Sequence, residues 1–221
     1  MKPPAQPSQK DVVAEYARLA PSYDERWAFY IEGTTRETLA RLTLKPGDRL
    51  LDVGCGTGAL LHRLSRSHPA ALLTGLDPVP EMLAVARGRL PPEVELREGW
   101  AERLPFGDEE FDVVVSCNVF HYIPQPAMAL SEMRRVLRRG GRLVLTDWCD
   151  DYLACRVCGW FLRRLGRANF KVYREGECRH LLRQAGHHLA DIQRYKLGWL
   201  WGLMTARATK AAGIDFQEVP S

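Results

Sequence analysis

Several things are scarce in this chain of 221 residues, and each scarcity removes a class of function. No stretch approaches the roughly 20 consecutive apolar residues that a membrane-spanning helix needs. The opening MKPPAQPSQK is polar and proline-rich, without the apolar centre of a signal peptide. A cytoplasmic setting is therefore expected, in which the six cysteines stay reduced. Net charge is small, since 31 Lys and Arg against 27 Asp and Glu leave only +4, and no nucleic-acid partner is expected from it. Arg134, Arg135, Arg138, Arg139 and Arg142 form one dense run of cations. It reads as a solvated helix end, where cations oppose the helix dipole, ahead of a docking surface for an anion. Metal-ligand spacing is lacking as well, and no metal is expected. Cys155 and Cys158 make a C-x-x-C without a second close pair. They share one face of an expected helix and read as small buried hydrophobes, the alternative being a thiol or metalloid role.

What is present is glycine in one place. In LLDVGCGTGALL an apolar run ends in Asp52, and Gly54, Gly56 and Gly58 follow at alternate positions. Such a turn brings backbone N–H groups close to a ligand at the start of a helix. Gly54, Gly56 and Ala59 satisfy G-x-G-x-x-[GA], and Asp77 stands near the distance of that fingerprint's ribose-binding acid, so a dinucleotide is one reading. A P-loop is excluded, because no Lys-Ser/Thr follows the glycines.

Around the loop the pattern alternates. RLLDV, ALLTGLD, VELREG, FDVVVSC and RLVLTDW read as five apolar strands. Helices are expected over GALLHRLSRS, PEMLAVARGRL and PAMALSEMRRVLRR, the last stopped by Gly140 and Gly141. This alternation predicts a doubly wound, Rossmann-like α/β domain with a parallel sheet. Later come the amphipathic stretch 149–170 and a helix over REGECRHLLRQAG. LADIQRYKLG and LWGLMTARATK close the chain as two antiparallel strands. Ahead of the sheet, residues 1–10 are expected to be disordered and 11–44 to form helices, with 45–221 as the main domain. Asp11 is placed as a helix cap, and Thr34 to Glu37 as a T-x-x-E capping box.

Ligands of open α/β sheets sit beyond the carboxyl ends of the strands, which gathers Asp52, the glycine loop, Asp77, Gly99 to Glu102, Cys117 to Tyr122 and Asp147. Asp77 suits the two hydroxyls of a ribose. Asp52 would repel a pyrophosphate yet attract a cationic amine. A ligand with adenosine at one end and an α-amino group at the other meets both demands, and S-adenosylmethionine (SAM) is that ligand.

The segments LLDVGCGTG, GLDPVPEMLAVAR, EGWAERLPFGDEEFDVVVSCNVFHYIPQP and ALSEMRRVLRRGGRLVLTDW together resemble class I SAM-dependent methyltransferases, of the small-molecule type related to ubiquinone/menaquinone C-methyltransferases. The resemblance covers about residues 48 to 148 in order and spacing. YARLAPSYDER is similar to the N-terminal cofactor lid of such enzymes, with Tyr16 and Tyr23 at its aromatic positions. The family implies a seven-stranded, mostly parallel sheet whose last strand is inserted antiparallel. It implies backbone contact of Gly54, Cys55 and Gly56 with the methionine part of SAM, Asp77 on the ribose, and Pro78 and Met82 along the adenine. Ala101 would offer its N–H to an adenine ring nitrogen, and Cys117 its main chain to the cofactor. One position departs from the family. Trp100 stands where Asp or Asn usually accepts from the adenine amino group, and Trp has no acceptor. That task passes to a backbone carbonyl, water or Glu102.

The reaction implied is in-line methyl transfer to a small molecule, leaving S-adenosylhomocysteine (SAH). His121 and Tyr122 are the candidates for a general base, if the acceptor must lose a proton. The acceptor pocket is expected from the N-terminal helices (Tyr23, Trp27, Tyr30), the 149–170 stretch and GWLWGLM. Alternatives are a thiol or metalloid methyltransferase, a SAM-binding scaffold without turnover, and a nucleic-acid methyltransferase. The last lacks the Asn/Asp-Pro-Pro-aromatic motif that serves a flipped base.

Overall fold

A computed structural model describes residues 9–152, 157, 171–198 and 201–211. Helices α1 (Gln9–Leu19) and α2 (Tyr23–Leu39) precede β1 (Arg49–Val53), α3 (Ala59–Ser67), β2 (Leu72–Asp77), α4 (Pro80–Arg89) and β3 (Glu95–Glu98). Then follow β4 (Phe111–Cys117), α5 (Pro126–Val136), β5 (Leu137–Trp148), α6 (Glu175–Gln184), β6 (His188–Leu197) and β7 (Trp201–Thr209). The seven strands form one sheet in the order β3-β2-β1-β4-β5-β7-β6. β1 to β5 pair parallel, whereas β7 inserts antiparallel between β5 and β6, as the resemblance implied.

The central strands are apolar throughout because both faces of the sheet are covered. Successive side chains leave a strand on opposite sides. Thus Leu50, Val113, Val115 and Val144 join Leu61, Leu64 and Leu83 of α3 and α4. Leu51, Val114, Leu143 and Leu145 join Leu130 and Met133 of α5 and Leu182 of α6 on the other face. The order of strands reverses between β1 and β4, so the crevice at their carboxyl ends is where such a sheet holds ligands.

Three local expectations are corrected. Gln9 and Lys10 are already helical, so Asp11 lies in the first turn of α1 and is not its cap. Thr34 to Glu37 starts no helix, because α2 (Tyr23–Leu39) already runs through it. The Thr34 hydroxyl instead donates back to the Tyr30 carbonyl at 2.9 Å, inside the helix. The helix kinks at Trp27, whose backbone leaves helical geometry (φ −115°, ψ 17°). Finally, α5 stops at Val136, and the chain passes at once into β5. Leu137 pairs with Phe111 and Arg142 with Val113, so the extra residues, Gly140 among them (φ +72°), bulge out within a strand where a helix end was expected. Residues 1–8 and most of the 149–170 stretch, Cys155 and Cys158 included, lie outside the described residues.

Candidate active site

The glycine loop leaves β1 with Gly54, Gly56 and Gly58 all at positive φ (79°, 52° and 76°). At Gly54 a Cβ would stand 2.4 Å from a Val119 methyl, so both backbone and space demand glycine there. The Gly54 and Cys55 amides donate to the Leu76 carbonyl at 2.7 and 3.0 Å, which ties the loop to the end of β2. Gly58, left-handed, then delivers the chain into α3.

Two carboxylates stand at the ends of β1 and β2 in contrasting states. Asp77 accepts from the Gly56 amide through Oδ2 and from the Val79 amide through Oδ1, each at 2.9 Å. Burial raises its pKa to about 6, against the pull of those two donors. Asp52 is more deeply placed, and its Oδ1 has no hydrogen-bond partner. Burial first, and the neighbouring Asp77 second, push its pKa up to about 8. A buried polar atom without a partner is costly, and it marks where a ligand donor belongs. An ammonium group fits that atom, so the residues present fit SAM.

All eleven residues expected on the cofactor side line one cleft of about 160 Å³: Tyr23, Asp52, Gly54, Cys55, Gly56, Asp77, Pro78, Met82, Trp100, Ala101 and Cys117. Gln9 and Tyr16 of α1, with Tyr23, form its roof. The lid is fastened to the floor at several points. Asp24 accepts from the Thr57 hydroxyl at 2.7 Å and pairs with Arg89 of α4. Tyr16 meets Tyr122 edge-on, with ring centroids 5.4 Å apart, and Gln9 reaches Glu102 at 3.4 Å. Glu102 lines the cleft beside Trp100, in place for the task that Trp100 cannot do.

The two candidates for a general base separate. Tyr122 lines the cleft. His121 does not; it is buried, with Nδ1 2.5 Å from Asp147 Oδ1 and its amide donating to Asp147 Oδ2 at 2.9 Å. Its ring lies 4.1 Å from that of Tyr122, centroid to centroid. Trp27 and Tyr30 pack in an aromatic cluster with Trp148 and Trp201, and neither lines the cleft. Sequence reasoning missed Ile31, Thr34 and Thr35, which do. The three residues on α2 were hidden by the misread helix boundary. Asn118, expected among Cys117 to Tyr122, lines the cleft too, and its backbone is left-handed (φ 62°).

The five arginines are committed to the fold. Arg134 donates to the Gly186 carbonyl, and Arg135 binds Glu132, Asp108 and two carbonyls. Arg138 pairs with Asp112, Arg139 with Glu109 and Arg142 with Asp48. Cys55, Cys117, Cys149 and Cys178 are free thiols, and no metal-binding cluster occurs among the described residues. No described helix is long and apolar enough to cross a membrane.

A seven-stranded sheet with β7 reversed and this paired-acid glycine loop define the class I methyltransferase fold. The family described as "Methyltransferase domain" matches residues 51–145. The 2-phytyl-1,4-naphtoquinone methyltransferase of Synechocystis sp. is 33% identical over 171 residues, 71% of this chain and 71% of that one. This chain therefore belongs to the class I SAM-dependent methyltransferase family. The phosphatidylethanolamine N-methyltransferase of Cereibacter sphaeroides is 40% identical over 135 residues, 56% of this chain, and the match spans only 64% of that enzyme's length. Among solved structures, the [4+2]-cyclase SpnF superposes with a TM-score of 0.75 at 20% identity, covering 95% of this chain and 98% of that one. That likeness concerns the fold alone.

Proposed function

We propose that this protein transfers a methyl group from SAM to a small-molecule acceptor. The carrying observation is the partnerless Asp52 Oδ1, buried beside a ribose-type Asp77 under an aromatic lid. Bound SAM supplies a methyl group activated by its sulfonium and departs as SAH. The chain's own work is to bind, orient and exclude water, since an in-line displacement gains most from positioning. Asp52 takes the α-ammonium group, and Asp77, already set by the Gly56 and Val79 amides, takes the ribose hydroxyls. Gly54, Cys55 and Gly56 hold the methionine part, while Pro78, Met82 and the Ala101 amide hold the adenine, with Glu102 accepting from its amino group in place of Trp100. The Cys117 main chain completes the cofactor site, and Tyr23 closes over it. Tyr122, which lines the cleft, is placed to hydrogen-bond the acceptor and so to orient it for attack. His121, fixed by Asp147, acts through the Tyr122 ring as a positioning residue.

Calorimetry should show SAH binding one to one without added metal. Preferential binding of NAD would overturn the cofactor assignment. SpnF shows that this fold also carries cyclisation. Release of SAH on adding an acceptor, measured against acceptor-free enzyme, separates methyl transfer from a SAM-binding scaffold or a cyclase.

A further inference from the structure

Asn118 follows β4 at the rim of the cleft, and its side chain is held more elaborately than its backbone requires. A left-handed residue (φ 62°) needs only to be Asn or Gly. Here a directed chain of donors fixes the amide as well. The indole N–H of Trp148 can only donate, and it donates to the Tyr30 hydroxyl. That hydroxyl therefore gives its own proton to Asn118 Oδ1, at 2.7 Å. Asn118 Nδ2 donates to the Thr34 hydroxyl at 2.7 Å, which passes its proton to the Tyr30 carbonyl. Burial, with Asp147 adding to it, holds the Tyr30 phenol well above its usual pKa, so it stays a donor. The amide cannot flip without breaking both bonds. An amide has two N–H groups and two acceptor lone pairs. One of each is used, and one N–H and one lone pair remain on a half-buried side chain that lines the cleft.

The charge around it is one-sided. Asp52, Asp77 and Glu102 line the same cleft, and no Lys, Arg or His does so among the described residues. An anionic acceptor finds no cationic partner there, whereas an uncharged group that both accepts and donates matches the two free positions of the amide. We propose that Asn118 is the acceptor-recognition residue, and that the acceptor presents an uncharged hydroxyl to its locked amide. This rests on the methyltransferase reading. It adds a specificity residue which neither the glycine loop nor the lid supplies.

Three naphthalenes of matched shape test it: 1-naphthol, 1-naphthoate and 1-methylnaphthalene, titrated by calorimetry into the full chain saturated with SAH. Naphthol should bind at least about tenfold more tightly than the other two, the worth of one hydrogen bond of about 1.4 kcal/mol. Asn118→Gly suits the left-handed backbone and removes only the amide, so the fold survives and the preference for naphthol should vanish with SAH affinity unchanged. Tyr30→Phe, which unlocks the amide without removing it, should lose part of the preference. Equal or tighter naphthoate binding, a preference that survives Asn118→Gly, or no binding of any naphthalene to SAH-loaded protein overturns the proposal. Failure to bind SAH at all overturns the methyltransferase reading itself, and the two failures are read in separate titrations.

Discussion

At Asp52 the fold holds a carboxyl group in a state that only a ligand relieves. With its pKa near 8, the ligand-free protein carries a proton there at pH 7. An ammonium group arriving at Oδ1 favours the carboxylate, so binding SAH at pH 7 should release up to one proton. Calorimetry in buffers of different ionisation enthalpy measures that release, and Asp52→Asn should abolish it. The same shift predicts stability. The unfolded chain loses this proton near pH 4 and the folded chain near pH 8, so the folded state binds more protons between them and stability falls as pH rises. Asp77, with a pKa of about 6, adds to the fall only below that value, and His187, lowered to about 4 by burial, acts in the opposite sense below its usual 6.5. From pH 6.5 to 7.5 the decline belongs chiefly to Asp52, at up to about 1.4 kcal/mol per pH unit. Nearer pH 8 the thiols of Cys55, Cys117, Cys149 and Cys178, raised by burial, add to it in the same sense. Urea titrations from pH 6.5 to 7.5 should find the decline flattened in Asp52→Asn. Asp77→Ala withdraws the charged acceptor from the ribose, a bond worth about 1.5–3 kcal/mol, and SAH should bind at least roughly tenfold more weakly. An unchanged dissociation constant would remove the ribose role.

Among the elements, the two N-terminal helices differ in how they are held. No residue of α1 is fully buried, whereas α2 buries Tyr30, Gly33, Thr34, Thr35 and Thr38. The Thr38 hydroxyl donates to Thr146 of β5 at 2.9 Å and lies 3.3 Å from the Cys117 thiol, so α2 is pinned to the sheet by buried polar bonds. A chain lacking residues 1–22 should therefore keep its fold, bind SAH more weakly and lose turnover, because Gln9 and Tyr16 leave the roof. Cutting after residue 33 splits α2 and should lower the unfolding temperature by far more than the about 2–4 °C that each kcal/mol costs a domain of this size. Thermal scans of the two truncations decide between them. The same contrast explains what was legible. Apolar strands such as FDVVVSC, and the glycine loop between β1 and α3, carry their own local signal, and all eleven cofactor-side residues expected from it and from the resemblance line one cleft. Thr34 to Glu37 matched a cap pattern, yet the Thr34 hydroxyl bonds the helix interior and accepts from Asn118, and its residue is buried against the end of β4. Gly140 and Gly141 matched a helix stop, but pairing of Leu137 with Phe111 starts the strand before them. His121 and Tyr122 are neighbours in sequence, and only the turn after β4 sends one into the wall and the other into the cleft. Tertiary pairing decided each case, and local pattern does not contain it.

Taken whole, the molecule pairs its densest run of cations with its own acids and carbonyls. It lines its cleft without a cation among the described residues, and this bears on what it acts upon. The densest run of arginines has its charge spent on Glu132, Asp108, Asp112, Glu109, Asp48 and backbone carbonyls. Among the described residues that run offers no field able to collect a polyanion, and the net charge of +4 adds little. The cleft is roofed by α1 and Tyr23 and walled by α2, which suits a molecule small enough to be enclosed. These two features predict one behaviour under salt. A protein that neutralises six to ten phosphates loses about 10³–10⁵ in affinity between 50 and 200 mM salt, because each contact releases counterions. An enclosed uncharged acceptor releases none. Turnover here, measured as SAH formed at saturating SAM with acceptor below saturation, should change by less than about twofold across that range. Activity that requires RNA or DNA, or that collapses as salt is raised, would show that the substrate lies across an open surface, and that the walls of this cleft hold only the cofactor.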